Sequence, residues 1–245
     1  MKQVPLEDAN GPIGNYSLIC LCEWTDESKN TIFIRSPITF ENLTAKNIFV
    51  KILNAQRPEQ PAILGLEPAA LKPVPFDLIE NEFLVSLDGG RTYTNQFLLK
   101  NFERKVNTHK AIKKMLKKEK NHFGTVKFFE EDGQRRQIAF QLQRHPKCPE
   151  SINITFVPSI RIKNCLPWPL KYRMSPGSDV SGYCTEEQVL FPQQGSECYN
   201  VDIKQQVFLE ALIPGFNWST KSLLIKGSKD QYCQELVLPD GQFDT

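Results

Sequence analysis

Short apolar runs that alternate with polar residues dominate the chain. The run Ile48-Phe49-Val50-Lys51-Ile52 is one example, rich in β-branched and aromatic residues, and this composition is typical of half-buried strands. Asp-Gly pairs occur at Asp88, Asp132 and Asp240, and they favour hairpin turns because both residue types tolerate positive φ. Many short strands with closely spaced turns predict an all-β, sandwich-like fold.

The alternating pattern occurs twice. The segment 32–50 matches the segment 154–172 at an offset of 122 residues. Asn42 and Asn164 coincide in this match, and the apolar positions stay in phase on both sides of them. A match of this kind predicts two tandem repeats of one sandwich-like unit.

A basic segment interrupts the first copy. The segment 83–99 matches 208–224 at an offset of 125, whereas the Asp-Gly turn at 132–133 matches that at 240–241 at an offset of 108. The offset therefore falls by 17 residues, which is the length of the segment 104–120. This segment is predicted to be an insertion between two strands of the first repeat.

These offsets predict the organisation of the chain. Residues 1–16 are expected to be an N-terminal extension, 17–136 repeat one with the insertion 104–120, and 137–245 repeat two. Repeat two is expected to be cut short, because only four residues follow the turn at 240–241 and its return strand is missing.

The positive charge of the chain is concentrated in the basic insertion, which the small overall net charge does not reveal. The 245 residues carry 30 basic and 28 acidic side chains, a net charge of +2, yet 104–120 holds eight basic residues and one acidic residue. The rest of the chain therefore carries a net charge of −5, and this charge excludes nucleic-acid binding by the whole chain. Ile112, Met115 and Leu116 have helical spacing. We expect a short helix that is either a solvated excursion or a contact with anionic membranes. Four lysines would make that contact: Lys113, Lys114, Lys117 and Lys118.

Patterns typical of enzymes are absent. The seven cysteines show no C-x-x-C spacing, and no nucleophile elbow, phosphate-binding loop or zinc-binding helix motif occurs. We therefore expect no catalytic residues, no cofactor and no metal. The start of the chain does not resemble a signal peptide. N-x-S/T triplets at Asn15, Asn42, Asn153 and Asn217 leave one alternative, an extracellular adhesion or carbohydrate-binding sandwich.

The two equivalent asparagines are the first candidate site residues. Asn42 and Asn164 either close a turn or act as buried amides that fix a corner between strands and shape a groove. The segment Leu166-Pro167-Trp168 follows the second asparagine, and Trp168 could be a packed lid or face a ligand. Tyr172 lies beside it in the next strand.

The start of repeat two resembles the adaptor-binding domain of the vacuolar protein sorting-associated protein 13 family. Repeats of that domain carry a strand, a proline, an alternating strand, an asparagine, a Leu-Pro pair and a strand ending in an aromatic residue. Four residues match this pattern: Asn164, Leu166, Pro167 and Tyr172. The first repeat keeps Pro37 and Asn42 but has Thr44-Ala45 in place of Leu-Pro.

The resemblance implies a non-enzymatic interaction module. Members of this family are long lipid transfer proteins, and the adaptor-binding domain is a hook of six sandwich-like repeats that binds proline-x-proline peptides of organelle-specific adaptors. We therefore expect membrane adaptor proteins, further repeats of the same longer chain and an anionic lipid surface as partners. The expected location is cytoplasmic and peripheral, at membrane contact sites. Six residues would form the peptide-binding or structural motif: Asn42, Asn164, Leu166, Pro167, Trp168 and Tyr172.

Overall fold

The fold is all-β, as the alternating pattern predicts. The structure is a computed structural model that describes residues 7–8, 11–12, 19–26, 29–53, 59–75, 78, 82–94, 121–129, 135–146, 148–176, 187–199, 201, 206–220, 223–225 and 237–239. Strands account for nearly all regular structure in these ranges, so the predicted fold class is confirmed. The insertion predicted to be helical lies outside the described residues. The chain forms two compact units, Met1–Val157 (unit 1) and Pro158–Thr245 (unit 2).

The described residues of unit 1 form twelve strands. They are β1 (Glu7–Asp8), β2 (Gly11–Pro12), β3 (Ile19–Asp26), β4 (Lys29–Arg35), β5 (Ile38–Asn42), β6 (Ile48–Leu53), β7 (Ala62–Leu66), β8 (Leu71–Pro73), β9 (Glu82–Ser86), β10 (Asn121–Phe129), β11 (Arg135–His145) and β12 (Cys148–Val157). The main sheet has the order β10-β11-β12-β5-β8, a second sheet has the order β7-β6-β9, and β1-β2 and β3-β4 are two-stranded.

The core of unit 1 lies between the five-stranded and three-stranded sheets. Alternation places every second side chain of β5 and β6 on the inner face, and the burial of these two strands alternates accordingly. Phe40 joins the sheets, since its ring lies edge-on to Phe83 at 5.2 Å and is stacked with Phe156 at 5.7 Å. The strands therefore form a sandwich around an aromatic centre.

Strand β12 pairs with a strand that lies more than 100 residues earlier in the chain. It runs parallel to β5, with Ile154 opposite Phe40 and Phe156 opposite Asn42. The sequence match places β12 in repeat two, yet it belongs to the compact unit that contains repeat one. The two compact units are defined by contacts between residues, whereas the two repeats are defined by sequence similarity. The boundary at residue 157 therefore does not test the predicted repeat boundary at residue 136, and the division into repeats stays a prediction.

Six strands are formed by the part of unit 2 that the structure describes. They are β13 (Ile160–Lys163), β14 (Leu170–Pro176), β15 (Gln188–Leu190), β16 (Gly195–Cys198), β17 (Val207–Leu212) and β18 (Leu223–Ile225). One sheet has the order β15-β14-β17-β18, and β13 pairs with β16. The buried core residues of this unit are Ile160, Tyr172, Met174, Leu190, Cys198, Val201 and Val207.

The structure shifts one part of the sequence match by a residue. Val85 pairs with Val50 in β6, and Ala211 pairs with Tyr172 in β14. Since Val50 and Tyr172 are 122 residues apart, Val85 corresponds to Ala211 at an offset of 126 and not 125. The N–H of Thr94 donates to the carbonyl oxygen of Val85 and that of Ser219 to Ala211, both at 2.9 Å. The connecting loop is thus one residue shorter in unit 2.

Candidate functional site

Asn164 holds two segments of unit 2 side by side. It directly follows β13, and the residue is 1 % exposed. Its Nδ2 donates to the backbone oxygens of Trp168 and Leu190, each at 2.9 Å, and its Oδ1 accepts the N–H of Leu166 at 3.0 Å. Because one nitrogen binds both oxygens, the link between β13 and β14 is fixed next to the end of β15.

The backbone of Asn164 completes this arrangement. Its N–H donates to the oxygen of Gln194 and its own oxygen accepts the N–H of Gln193, both at 2.9 Å. Gln193 has a φ of 65°, a left-handed conformation that is uncommon outside glycine. The hydrogen bonds to Asn164 hold the loop between β15 and β16 in that conformation.

Asn42 makes the same hydrogen bonds in unit 1. Its partners are the backbone oxygens of Lys46 (2.8 Å) and Leu66 (2.9 Å), the N–H of Thr44 (2.9 Å), the N–H of Ala69 (2.8 Å) and the oxygen of Ala70 (2.9 Å). Ala69 has a φ of 60°, the counterpart of Gln193. We call this arrangement the asparagine frame. Both asparagines are buried amides that fix a corner, and neither side chain is exposed to a ligand.

The asparagine frame of unit 2 presents four apolar residues to solvent, which we call the apolar rim: Leu166, Pro167, Trp168 and Phe191. Trp168 is 57 % exposed and Phe191 is 56 % exposed. The backbone of Trp168 is bound directly by Asn164, and Phe191 follows Leu190, the other residue that Asn164 binds. Trp168 is therefore an outward-facing side chain on a rigid backbone and not a packed lid.

The same frame in unit 1 lacks the two aromatic side chains, although Leu43 beside Asn42 is 44 % exposed. Lys46 occupies the position of Trp168 and Glu67 that of Phe191, and both are exposed. The equivalence rests on geometry, because the oxygen of Glu67 accepts the N–H of Ala70 just as that of Phe191 accepts the N–H of Gln194. One backbone arrangement thus carries charged side chains at these two positions in unit 1 and aromatic side chains in unit 2.

Tyr172 lies in the core of unit 2, away from the rim surface. It is 0 % exposed, and its hydroxyl donates to Oε1 of Gln188 at 2.5 Å. Burial raises the pKa of Tyr172 to about 12, and burial also raises the pKa of the neighbouring thiol of Cys198. Both groups are protonated at neutral pH, so Tyr172 packs as an apolar residue with one satisfied hydroxyl.

A cation lies over an aromatic ring at equivalent positions in both units. Nζ of Lys51 is 5.2 Å from the ring centre of Tyr93, and Cζ of Arg173 is 4.4 Å from that of Trp218. These pairs were not found by the sequence analysis, although the offsets of 122 and 125 relate them. Arg173 also forms an ion pair with Glu210 at 2.5 Å. We assign them a structural role at the outer face of each sheet.

Unit 1 contains a proline-x-proline segment of its own, Pro73-Val74-Pro75, along β5. The N–H of Val74 donates to the oxygen of Ile38 at 2.9 Å, and the oxygen of Val74 accepts the hydroxyl of Ser36 at 2.7 Å. Val74 is 1 % exposed, whereas both prolines are exposed. The prolines line an open groove of about 440 Å³ that also includes Ile34 and Leu71.

Three further features bear on function. Among the described residues, no three His, Cys, Asp or Glu side chains are grouped so that they could hold a metal ion. No helix in the described part of the chain is long and apolar enough to span a membrane. The four lysines predicted to contact membranes, Lys113, Lys114, Lys117 and Lys118, lie outside the described residues.

Comparison with protein families identifies the chain. Residues 10–240 match the sequence model of the vacuolar-sorting associated protein 13, adaptor binding domain. The chain belongs to this family. The resemblance noted at Asn164, Leu166 and Pro167 is thereby confirmed, and it extends over nearly the whole chain. A comparison with curated proteins gave no match.

Membership defines the general activity. An adaptor-binding domain binds adaptor proteins, and the family description is one of binding and not of catalysis. Vacuolar sorting is the process to which the family belongs. The extracellular alternative rests on the four N-x-S/T triplets. Asn42 of one triplet is not accessible to glycosylation in this fold, because it is 0 % exposed and its Nδ2 donates three hydrogen bonds within the fold.

Proposed function

We propose that this adaptor-binding domain docks a longer lipid transfer protein on organelle membranes by binding proline-x-proline peptides of membrane adaptors. The peptide lies extended along the apolar rim of unit 2, and its prolines pack against Trp168 and Phe191. The observation that carries this proposal is the rim itself. It consists of exposed aromatic and aliphatic side chains on a backbone that Asn164 holds in place.

Rigid exposed aromatic residues suit proline-rich ligands. Aromatic-lined surfaces bind extended proline-rich peptides because such peptides lose little conformational entropy on binding. Trp168 and Phe191 offer flat apolar faces, and Asn164 fixes the backbone beneath them. Such preorganisation reduces the free energy lost in ordering the site. The polar residues Lys46 and Glu67 make the equivalent surface of unit 1 unsuited to the same ligand.

The segment Pro73-Val74-Pro75 supports the extended conformation of the ligand. In an antiparallel pair, alternate residues direct their N–H toward the partner strand. Val74 makes that hydrogen bond to Ile38. The prolines on either side of Val74 therefore lie at positions where pairing with β5 requires no N–H donor. A proline-x-proline peptide can therefore lie along a strand without losing a hydrogen bond, whereas two adjacent prolines, or two prolines separated by two residues, would lose one.

Fluorescence anisotropy of a labelled proline-x-proline peptide tests the proposal. The double variant Trp168→Lys, Phe191→Glu gives unit 2 the side chains of unit 1 on an unchanged frame. We expect it to weaken binding by at least about 30-fold, since loss of one buried aromatic anchor costs roughly 2 kcal/mol or more. The matched control is Phe123→Lys, an aromatic residue of unit 1 that is also 56 % exposed.

Two further measurements complete the design. A peptide with alanine in place of both prolines should not bind, because it lacks the apolar faces that the rim would contact. Circular dichroism should show the same content of strand in the double variant and the native chain. Equal affinity of the native chain and the double variant would refute the role of the rim, and equal affinity for the alanine peptide would refute the requirement for proline.

The cellular context is part of the same proposal. Binding to membrane adaptors would hold the chain at the cytoplasmic face of organelles as a peripheral protein, at contacts between membranes. Further repeats of the same kind in a longer chain would connect the domain to its lipid-carrying part. The basic insertion, with Lys113 and Lys117 among its lysines, would add a weak contact with anionic lipids next to the adaptor.

A further inference from the structure

Three neighbouring strands of unit 2 have their ends at one side of the sheet. The last residue of β15, Leu190, pairs with the first residue of β14, and the last residue of β17, Leu212, pairs with the second residue of β14. Strand β14 lies between β15 and β17 in the sheet. The segment that follows β17 therefore lies at the same end of the sheet as Trp168 and Phe191, the two aromatic residues of the apolar rim.

The segment after β17 is a tight turn that exposes a third aromatic residue. The N–H of Phe216 donates to the oxygen of Ile213 at 3.1 Å, with a proline and a glycine between them. This glycine, Gly215, has a φ of 86°, and proline followed by a residue of positive φ is typical of a type II turn. The N–H of the residue after Phe216 donates to the oxygen of Pro239 at 3.0 Å. Phe216 is 38 % exposed, so its ring lies on a well-fixed backbone. We call residues 213–216 the apolar turn.

The corresponding loop of unit 1 is polar. Phe216 precedes Trp218 by two residues as Arg91 precedes Tyr93, and both Trp218 and Tyr93 lie under a cation. The three strand ends thus carry a lysine, a glutamate and an arginine in unit 1 but three aromatic residues in unit 2. All three charged residues are exposed in a chain that continues into a second repeat. Exposure of this end of the sheet is therefore not a consequence of where the sequence stops.

The distance across these strand ends matches one turn of a polyproline helix. Adjacent strands are about 4.8 Å apart, so the backbone after β15 lies roughly 10 Å from the backbone after β17. A polyproline II helix has three residues per turn, so residues i and i+3 point the same way at a separation of about 9 Å. A peptide that crosses the three strand ends can therefore direct two residues, three positions apart, at Phe191 and Phe216.

We propose that the apolar turn is part of the peptide site and selects proline-x-proline peptides that carry an apolar residue directly beside the prolines. This residue contacts Phe216. The farther proline, three positions away, contacts Phe191, and the nearer proline contacts Trp168 between them. The contact with Phe216 rests on the proposed function, because it is made by the same bound peptide.

Fluorescence anisotropy of three labelled peptides with the full chain tests the role of the apolar turn. The peptides share the two prolines and carry alanine on both sides, leucine before the first proline, or leucine after the second. We expect one of the two leucine peptides to bind at least about five-fold more tightly than the alanine peptide, because a leucine side chain buries more apolar area than alanine. The direction in which the peptide crosses the strands decides which leucine peptide this is.

Substitution of Phe216 assigns the preference to the turn. Phe216→Ala should remove the preference for leucine and leave the affinity for the alanine peptide unchanged. The hydrogen bond of Phe216 is made by its backbone, so the variant keeps the turn. Phe216→Leu retains an apolar side chain and should retain most of the preference. The matched control is Phe123→Ala, which changes an aromatic residue of unit 1 that is 56 % exposed and should keep the preference in full.

Two results would overturn the role of the apolar turn. One is equal affinity of the native chain for all three peptides, and the other is a preference for leucine that survives Phe216→Ala. Either result leaves the proposed function in place if the double variant Trp168→Lys, Phe191→Glu still weakens binding of every peptide. If that variant binds the peptides like the native chain, the proposed function is wrong, and the role of the apolar turn fails with it.

Discussion

Replacing Asn164 with alanine removes the centre of the asparagine frame in unit 2. The variant loses two donated hydrogen bonds, to the oxygens of Trp168 and Leu190, and one accepted from the N–H of Leu166. The backbone groups remain where they are, so each must find another partner. The cost therefore depends on which of them water can reach.

The three groups differ in their access to water. Leu190 is 5 % exposed, so its oxygen would stay buried without a partner, at a cost of about 1–3 kcal/mol. Leu166 and Trp168 are exposed, and water replaces part of their lost bonds, which leaves roughly 0.5 kcal/mol each. We therefore expect Asn164→Ala to lower the free energy of unfolding by about 2–4 kcal/mol, a large share of the 5–15 kcal/mol typical of a domain.

Urea unfolding measures this loss. Tryptophan fluorescence reports mainly on unit 2, which holds Trp168 and Trp218, two of the three tryptophans. The control Cys165→Ser changes the adjacent exposed residue and should alter stability by less than about 0.5 kcal/mol. A loss below about 1 kcal/mol for Asn164→Ala, with an unchanged slope against urea, would show that the frame does not depend on the asparagine.

Two more predictions concern charge. Burial raises the pKa of Asp88, but hydrogen bonds from Ser86, Thr92 and Arg91 outweigh it and lower the pKa to about 2 from 3.8. The ionised form is thus the one that stabilises the turn, so thermal stability should fall as the pH drops from about 4 toward 2. Asp88→Asn should remove this part of the pH dependence. If the variant and the native chain lose thermal stability identically between pH 4 and pH 2, the stabilising role of the ionised Asp88 is refuted. For the basic insertion, replacing its lysines Lys113, Lys114, Lys117 and Lys118 with glutamine should abolish flotation with anionic vesicles, at about 1 kcal/mol per lysine. Flotation that persists, or that salt does not weaken, would count against a membrane contact.

The alternating pattern was sufficient to predict the strands and the equivalence of Asn42 and Asn164. Alternation is a local property, because the side chains of a strand point to opposite faces in turn whatever the strand packs against. Two segments with the same alternation in the same phase therefore place equivalent side chains on the same face of their strands. This is why β5 and β13, as well as β6 and β14, were correctly expected as strands on either side of an asparagine.

The candidate site was only partly predictable. Leu166, Pro167 and Trp168 are adjacent in sequence to Asn164, so a local pattern indicated them. Phe191 was missed because it is 23 residues away from Trp168, and only the hydrogen bond from Asn164 to Leu190 brings it to the rim. Comparison of the two copies could have indicated this position, since it aligns with Glu67 once the two extra residues in the second copy are counted.

The pairing of strands was decided by the tertiary structure alone. Ile32 and Ile154 have the same surroundings in sequence, yet one is 62 % exposed and the other 0 % exposed. The difference arises because β12 has β5 beside it, and no local pattern specifies which distant strand completes a sheet. Sequence by itself thus determined which faces of the strands are apolar and that the asparagine recurs. The three-dimensional arrangement decided which of those faces are covered, because burial depends on contacts between residues far apart in the chain.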